Sequence, residues 1–555
     1  MKLRIICFLT VWAVFSSCED TLQENPGSYY QRKDFFVNAS NAQLAVTGIY
    51  NVLPTIYGDK DGMALPCSDD TYFVSGVEGD NGRRDITHYN IKPSNPWIYT
   101  VWKGKYESIN RANYTISGIE GMKDYQSSDD LQKLVAEAKF LRAQAAFDLV
   151  RYWGDVPFKT TYSDSYEDAY QPRTDREEIY EQIIEDLDFA KEHLSWADAS
   201  SSPEEATQGS ARALQMRVLL TRAGYSLQLD GKTTRPTETV RRNYFEAVID
   251  EWEAFQKNGY HKLYTTGYTE LFKSFSAGIL NSEESLFEIA FLTPTTKGYW
   301  GTYIGPLVAA PNISPTEANK FMGRANANFR VVPEWKDFFE EKDVRRDVAI
   351  CTYKYTWNSE IYNHQKVENK SVHDWYPGKW RREWMPLGYE DPNLTSVNFC
   401  MLRYADVILM AAEAYNELGD TPTAWTLLNS VRKRAGATEI TTANYASLLK
   451  SPKVYNLDFI DDTDEAGKFR TALYWERGFE LAFEGQRKYD LIRWGILKEA
   501  LVLFSENIST SINNAVQTYY PAGKNFEKGK HELLPIPEDE LQINYKLKNQ
   551  NNPKY

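Results

Sequence analysis

Cysteine and histidine are scarce in this chain of 555 residues, which contains five cysteines and six histidines. No HExxH motif and no CxxC pair occurs, so the spacings typical of zinc and redox sites are missing. GxGxxG and Walker sequences are missing as well, which removes the usual signs of a nucleotide site. The segment Asp59-Lys60-Asp61-Gly62 has the start of a calcium loop, but the EF-hand pattern is incomplete and a plain turn is favoured. We therefore predict no cofactor and no metal.

Positive charge is also in deficit. The chain has 63 Lys and Arg against 77 Asp and Glu, a formal net charge of −14. Proteins that bind the phosphate backbone need a basic surface, so nucleic acid is not an expected partner.

Long hydrophobic runs are missing beyond the first segment of the chain. Lys2 and Arg4 precede an apolar run over 5–15, which is too short to span a bilayer and typical of a secretory signal. We expect 1–17 to be a lipoprotein signal peptide, because Phe15-Ser16-Ser17-Cys18 resembles a lipobox. Cys18 would then carry the lipid; an ordinary signal peptide with an incidental cysteine is the alternative.

Cys18 is followed by Glu19 and Asp20, and acidic residues at this place resemble the surface-export signal of some bacterial lipoproteins. We therefore expect a protein that is lipid-anchored in the cell outer membrane and faces the extracellular side. After the signal and Cys18, only Cys67, Cys351 and Cys400 remain. An odd number of cysteines cannot all pair internally, so a disulfide scaffold is not expected.

The middle of the chain has the periodicity of helix pairs. Apolar residues recur at three- and four-residue steps over 130–194, 210–257 and 403–435. An earlier pair is predicted from 35–53 and 97–118. The pair at 403–435 spans about 33 residues, which is the tetratricopeptide period. The pattern predicts a mainly α fold with a tetratricopeptide-like helix-pair scaffold.

Two segments lack this periodicity. Residues 55–96 and 260–400 are rich in glycine, proline and aromatic residues, and we predict long irregular loop insertions with short strands or helices. Because no linker separates these segments from the helical ones, we expect a single domain over 18–555. Loops held on a rigid scaffold commonly carry the binding groups of a protein.

Four pairs of motifs resemble those of the SusD/RagB family of outer-membrane nutrient-binding lipoproteins. They are AEAKFLRA (136–143) with RYWGDVP (151–157), RYADV (403–407) with AAEA (411–414), ERGFELAFEG (476–485) with YDLIRWG (489–495), and LPIP (534–537) with NPKY (552–555). Several motifs in the order of the family make the resemblance more specific than any one of them.

The resemblance implies a cell-surface protein that captures oligosaccharide and passes it to a SusC-like TonB-dependent transporter. Peptide capture, as in the RagB branch, is the alternative within the fold. A surface glycoside hydrolase and a tetratricopeptide scaffold for another protein are the remaining classes. The carboxylates Glu137, Glu476, Glu480 and Glu484 sit at helical spacing near arginines, where ion pairs are ordinary, so we predict no enzyme.

Candidate ligand residues lie in the loops, where flat rings can cover the C–H face of a sugar while polar groups bind its hydroxyls. Trp97 is the best single candidate, and a second cluster comprises Tyr299, Trp300 and Tyr303. A third cluster holds Trp357, Trp375, Tyr376 and Trp380. The residues selected as the predicted ligand site are Asp69, Asp70, Tyr72, Arg83, Trp97, Tyr99, Trp300, Tyr303 and Trp375.

Overall fold

The structure is a computed structural model that describes residues 32–58, 62, 65–73, 79–449, 457–507 and 520–555. The predicted signal peptide and the predicted lipidation site Cys18 lie outside the described residues. Asp59, Lys60 and Asp61 of the loop considered for calcium also lie outside them.

The helices account for most of the regular structure. They are α1 (Arg32–Phe35), α2 (Ala39–Tyr50), α3 (Leu53–Ile56), α4 (Arg83–Thr87), α5 (Pro96–Glu120), α6 (Asp129–Trp153), α7 (Tyr166–Ala169), α8 (Arg176–His193), α9 (Gln208–Ala223), α10 (Glu238–Asn258), α11 (Tyr268–Ala277), α12 (Trp335–Phe338), α13 (Arg345–Ala349), α14 (Tyr404–Glu417), α15 (Thr421–Arg434), α16 (Tyr445–Leu449), α17 (Glu465–Glu480), α18 (Arg487–Arg493), α19 (Leu497–Asn507), α20 (Ala522–Asn525) and α21 (Glu538–Ile543). Short 3₁₀ helices occur at Tyr125–Ser127, Pro315–Lys320, Val372–Asp374, Arg382–Trp384 and Tyr545–Leu547.

The strands are short and form two-stranded antiparallel sheets. They are β1 (Thr71–Phe73), β2 (Val156–Pro157), β3 (Arg173–Thr174), β4 (Ser226–Leu227), β5 (Thr233–Thr234), β6 (Ser285–Ile289), β7 (Phe329–Val331), β8 (Ile350–Cys351), β9 (Tyr353–Asn358), β10 (Asn363–Glu368), β11 (Tyr376–Pro377) and β12 (Phe399–Arg403). The pairs are β1 with β7, β2 with β3, β4 with β5, β6 with β12, β8 with β11, and β9 with β10.

The long helices pack in a continuous row. α6 packs against α5 and α8, α9 packs against α8 and α10, and α14 packs against α10, α15 and α17. Small and aliphatic residues fill the interfaces, and Ala138, Leu141 and Ala145 of α6 are almost completely buried. The predicted mainly α, helix-pair fold is confirmed.

Polar side chains cap the first turns of α8 and α9. Asp175 caps α8 and accepts a hydrogen bond from the backbone N–H of Glu177. At α9 the cap is Thr207, and Ser210 is the second member of its capping box. Each cap satisfies a backbone N–H that has no partner inside the helix.

The segment 260–400 contains a regular helix that its overall composition conceals. In α11, Tyr268, Leu271, Phe272 and Phe275 are buried at helical spacing. The helix ends at Gly278, whose φ of +71° is the left-handed conformation that favours glycine at this position. The stretch is only ten residues long and is surrounded by loop sequence, so its apolar periodicity gives only a weak signal for a helix.

Buried ion pairs attach Arg345, in the 260–400 segment, and Arg403, at the end of β12, to the C-terminal residues 476–484. Arg345 binds Glu476 and Glu480, and its Nη1 lies 3.1 Å from Glu480 Oε2. Arg403 binds Glu480 (2.6 Å) and Glu484 (2.6 Å). These carboxylates form structural ion pairs, but their partners lie in distant segments and not at helical spacing along the same helix; Arg477 binds Asp406 and Asp490 instead. We call this group of Arg345, Arg403, Glu476, Glu480 and Glu484 the ionic cluster.

Candidate functional site

Trp97 lies half-exposed in the first turn of α5. Asn95 caps this helix, and its side-chain oxygen accepts a hydrogen bond from the backbone N–H of Trp97 (2.9 Å). Pro96 occupies the first position of the helix, where its fixed φ suits the helical turn. The cap and the proline therefore hold the Trp97 ring in a defined place at the surface.

Arg83 brings rings from three segments together. The centre of its guanidinium lies 4.0 Å from the Trp97 ring centroid, 5.0 Å from that of Tyr303 and 5.7 Å from that of Phe73. These separations are within the range of cation–π attraction. Arg83 thus links the first turn of α5, the segment around 300 and the end of β1.

Aspartates fix the segment that carries Arg83. Asp80 accepts hydrogen bonds from the backbone N–H groups of Gly82 (2.9 Å) and Arg84 (3.2 Å). The buried carboxylate of Asp85 accepts one from the backbone of Asn81 (2.8 Å). These bonds set the direction of α4 and so the position of its first residue, Arg83.

Tyr299 and Tyr303 form a stacked pair beside Arg83. Their ring centroids are 4.4 Å apart and their planes differ by 10°. The backbone N–H of Tyr303 donates to the carbonyl of Tyr299 (3.0 Å), so the segment makes one tight turn that places both rings on the same side. Gly301, at φ +81°, permits this turn. We call Arg83, Trp97, Tyr299 and Tyr303 the Trp97 site.

The structure corrects the prediction for Trp300. Its ring is fully buried and stacks on Phe399 with a centroid distance of 4.5 Å and an interplanar angle of 2°. The ring also contacts Trp380, which is itself fully buried. Because Trp300 points inward from the turn that Tyr299 and Tyr303 share, it supports the site from below and presents no face to a ligand.

Asp69, Asp70 and Tyr72 are also interior residues, which corrects their assignment to a ligand site. Asp69 pairs with Arg487, whose Nε and Nη2 each lie 2.9 Å from its carboxylate oxygens. Burial, reinforced by the neighbouring Asp69, raises the pKa of Asp70 to about 7. The Tyr72 hydroxyl donates to the carbonyl of His373 (3.3 Å). Their polar groups join core segments.

Tyr99 and Trp375 lie apart from the Trp97 site. Tyr99 follows Trp97 by two residues on α5, which places it on a different side of the helix, where it lines another groove. Trp375 lies beyond β7: its carbonyl accepts from the backbone N–H of Val331 (3.0 Å), and Lys336 Nζ lies 5.8 Å from its ring.

Tyr299 belongs to the Trp97 site. The ligand residues predicted from the sequence include its neighbour Trp300 but not Tyr299. The signal that could have found it is the four-residue spacing of Tyr299 and Tyr303 around Gly301, which is typical of one helical turn. The contact between Arg83 and Tyr303 depends on folding and has no local signal.

The Trp97 site presents flat rings and a guanidinium, and its chemistry suits binding. Half-exposed rings offer apolar faces, and a guanidinium can donate hydrogen bonds to hydroxyl or carboxylate oxygens. Among the described residues, no group of three or more His, Cys, Asp or Glu side chains could hold a metal ion. Within the same part of the chain, no helix is long and apolar enough to cross a membrane.

Two family descriptions match the chain. The SusD family matches residues 284–555, and the family described as "Starch-binding associating with outer membrane" matches residues 43–220. The matches include both the helical scaffold and the segments that carry the Trp97 site.

Known proteins resemble the chain over its whole length. The SusD-like protein P2 of Formosa agariphila is 28% identical over 564 residues and each chain is covered completely. A crystal structure of a SusD homolog from Bacteroides thetaiotaomicron superposes with a TM-score of 0.77 at 26% identity, covering 94% of this chain and 98% of that one. A laminarin-binding SusD-like protein has the same fold, with a TM-score of 0.65 at 23% identity over 94% of this chain and 100% of that one. The chain therefore belongs to the SusD family.

Proposed function

We propose that this protein captures a glycan at the Trp97 site and acts as a binding protein, without chemistry on the glycan. The observation that carries the proposal is the half-exposed Trp97 ring joined through Arg83 to the stacked pair of Tyr299 and Tyr303. A ring face can cover the C–H face of a sugar, and the guanidinium and tyrosine hydroxyls can bind the rim hydroxyls.

The relatives support a glycan over a peptide. One matching family is described as starch-binding, and one protein of the same fold is named as laminarin-binding. Both names refer to polymers of neutral sugars, for which aromatic faces are suitable. Starch and laminarin are therefore the first ligands to test.

Affinity is expected to be moderate. Stacking of a base on an aromatic ring contributes about 1 to 3 kcal/mol, a figure that we apply here to sugars. Association itself costs about 4 kcal/mol or more, which offsets much of the gain from three rings. We therefore expect dissociation constants from micromolar to millimolar.

The test is calorimetry of the wild type and of Trp97→Ala with starch and laminarin. Removal of one ring should weaken binding by about 5- to 150-fold. Tyr362→Ala is the matched control, because this exposed tyrosine lies in the turn between β9 and β10 and its ring contacts Phe321 and Trp357, which do not belong to the Trp97 site. Equal affinity of the Trp97 and Tyr362 variants would contradict the assignment of the site.

Incubation of the protein with starch and with laminarin separates capture from hydrolysis. Depletion of glycan without new reducing ends is expected for a binding protein, and new reducing ends would identify a glycoside hydrolase. Binding to peptides instead of glycans would identify the alternative function.

The place of capture is the second part of the proposal. We infer that Cys18 anchors the chain to the outer face of the outer membrane, and that a SusC-like TonB-dependent transporter receives the glycan. The family description of association with the outer membrane supports this location. Cys18→Ala should move the protein into soluble fractions, whereas membrane association with fatty-acid labelling of the variant would contradict the anchor.

Affinity purification after mild detergent extraction should recover a large outer-membrane barrel, and repeated recovery of this chain alone would contradict the partner.

A further inference from the structure

A groove of about 420 Å³ lies on the other flank of α5 from Trp97. We call it the Tyr99 groove. Its aromatic lining consists of Tyr99, Trp102, Tyr106, Phe158 and Tyr170.

Three segments hold the Tyr99 groove open in the folded protein. The Tyr106 hydroxyl donates to the carbonyl of Pro157 (2.7 Å), which fixes the floor. The carbonyl of Gln171 accepts from Asn544 Nδ2 (3.0 Å), which connects one wall to the C-terminal segment. Because the groove is bounded by α5, by 157–171 and by α21, a ligand would meet a preformed surface.

The lining suits a neutral sugar. The rings of Tyr99 and Tyr170 are half-exposed, and their hydroxyls form no hydrogen bond within the part of the chain that the structure describes. Lys103, Glu107 and Glu540 add polar groups that can bind hydroxyls. The groove thus combines ring faces with a polar rim.

A larger cavity of about 530 Å³ between α9, α10, α14 and α17 has a different character. Its charged groups already bind one another: Arg470 Nε lies 2.6 Å from Glu417 Oε1, and Arg493 Nη2 lies 2.7 Å from Glu413 Oε2. A neutral sugar would have to compete with these ion pairs, so this cavity is the weaker candidate.

The burial pattern of α5 connects the Tyr99 groove with the Trp97 site. Pro96, Thr100 and Lys103 are exposed and form one stripe along the helix, while Ile98 is completely buried on the opposite side. At about 100° per residue, Trp97 and Tyr99 flank this stripe on its two sides. A chain of sugars that crosses the exposed stripe can therefore lie against both rings.

We propose that the Tyr99 groove is a second subsite for the same glycan chain that the Trp97 site binds, so that the protein selects polymers over short oligosaccharides. The inference rests on the proposed function. Two connected subsites convert the second contact into an intramolecular one, which strengthens binding only when a single ligand reaches both.

The test compares two ligand lengths of the same chemistry. Calorimetry is performed with laminarin and laminaritriose, and with starch and maltotriose, on the wild type, Tyr99→Ala and Tyr170→Ala. We expect the groove variants to lose about 10-fold or more in affinity for the polymer. Their affinity for the trisaccharide should stay at the wild-type value, because it is bound at the Trp97 site.

Trp97→Ala should weaken binding of both ligand lengths, and Tyr362→Ala should change neither. Thermal unfolding of each variant checks that it is folded, and Tyr99→Phe, which keeps the ring, should retain most of the polymer affinity. Unchanged polymer affinity in both groove variants would overturn the second subsite and leave the proposed function intact. Failure of the wild type to bind any of these glycans would overturn both.

Discussion

The Trp97 site and the ionic cluster contain similar side chains in opposite surroundings. At the Trp97 site, the Arg83 guanidinium lies 4.0 Å from a half-exposed tryptophan ring. In the ionic cluster, Arg345 is completely buried, lies 5.9 Å from the Phe479 ring and binds two glutamates. The comparison teaches that an arginine next to aromatic rings can contact a ligand only where solvent reaches the rings.

The buried carboxylates also differ according to their partners. Burial by itself raises the pKa of Glu480, but the guanidinium groups of Arg434, Arg403 and Arg345 lower it well below its usual range. Glu288 is equally buried, and burial together with the carboxylate of Glu204 raises its pKa to about 7. A buried carboxylate with several arginine partners therefore has a lowered pKa, whereas a buried carboxylate beside another carboxylate has a raised pKa.

The largest expected effect is on stability, from Arg403→Ala in the ionic cluster. The change leaves Glu480 and Glu484 with fewer cations in the interior, and breaking such a buried pair costs about 3 to 5 kcal/mol. Denaturant unfolding measures the loss. The matched variant Arg83→Ala should cost less than about 1 kcal/mol in stability and weaken glycan binding instead; equal destabilisation by the two would remove the contrast.

Trp300→Ala should reduce the stability of the protein, as Arg403→Ala should, although Trp300 is next to Tyr299 of the Trp97 site in the chain. Loss of a fully buried tryptophan costs about 3 to 5 kcal/mol, since a cavity remains against Phe399 and Trp380. Tyr299→Ala removes a half-exposed ring and should affect glycan affinity more than stability. Unfolding and calorimetry on both variants check this prediction, which fails if Trp300→Ala unfolds with the wild-type midpoint.

The smallest effect is a pH dependence from Glu288. Its pKa is raised from 4.5 to about 7 in the folded protein, so the folded state keeps a proton that the unfolded chain releases first. The contribution to stability is complete below about pH 4.5 and is lost as pH rises through 7. Glu288→Gln keeps an oxygen that can accept the hydrogen bond from Asn398. This variant should reduce the change in unfolding free energy between low and high pH by on the order of 1 to 3 kcal/mol.

The control for this prediction is Glu360→Gln, which changes an exposed glutamate in the turn between β9 and β10. Unfolding free energies at pH 5 and pH 8 are compared for both variants and the wild type. If Glu288→Gln and Glu360→Gln have the same slope with pH, Glu288 is not the group responsible.

The helical scaffold could be predicted because its signals are local. The apolar spacing over 130–153 predicts a helix, and α6 runs from Asp129 to Trp153. Gly154 ends it at φ +73°, a conformation that favours glycine. Short helices were expected within 260–400, but the position of α11 was not predicted, because a ten-residue periodic stretch between loops carries a weak signal.

The Trp97 site could be predicted only in part. Trp97, Arg83 and Tyr303 were selected from the sequence, and the structure brings these three together. The same reasoning selected Trp300, Tyr72 and Asp69, because an aromatic or acidic residue in a loop has the same composition whether it points outward or inward. Direction depends on the single turn around Gly301 and on the pairing of β1 with β7.

The sequence by itself determined the mainly α scaffold and the family resemblance, since periodicity and ordered motifs are properties of the chain. Only the tertiary structure decided which rings reach solvent and which carboxylates meet arginines. Asp69 contacts Arg487 across more than 400 residues of sequence, and Arg83 contacts Tyr303 across more than 200. The energies of such contacts depend on burial and distance in three dimensions, which local sequence does not specify.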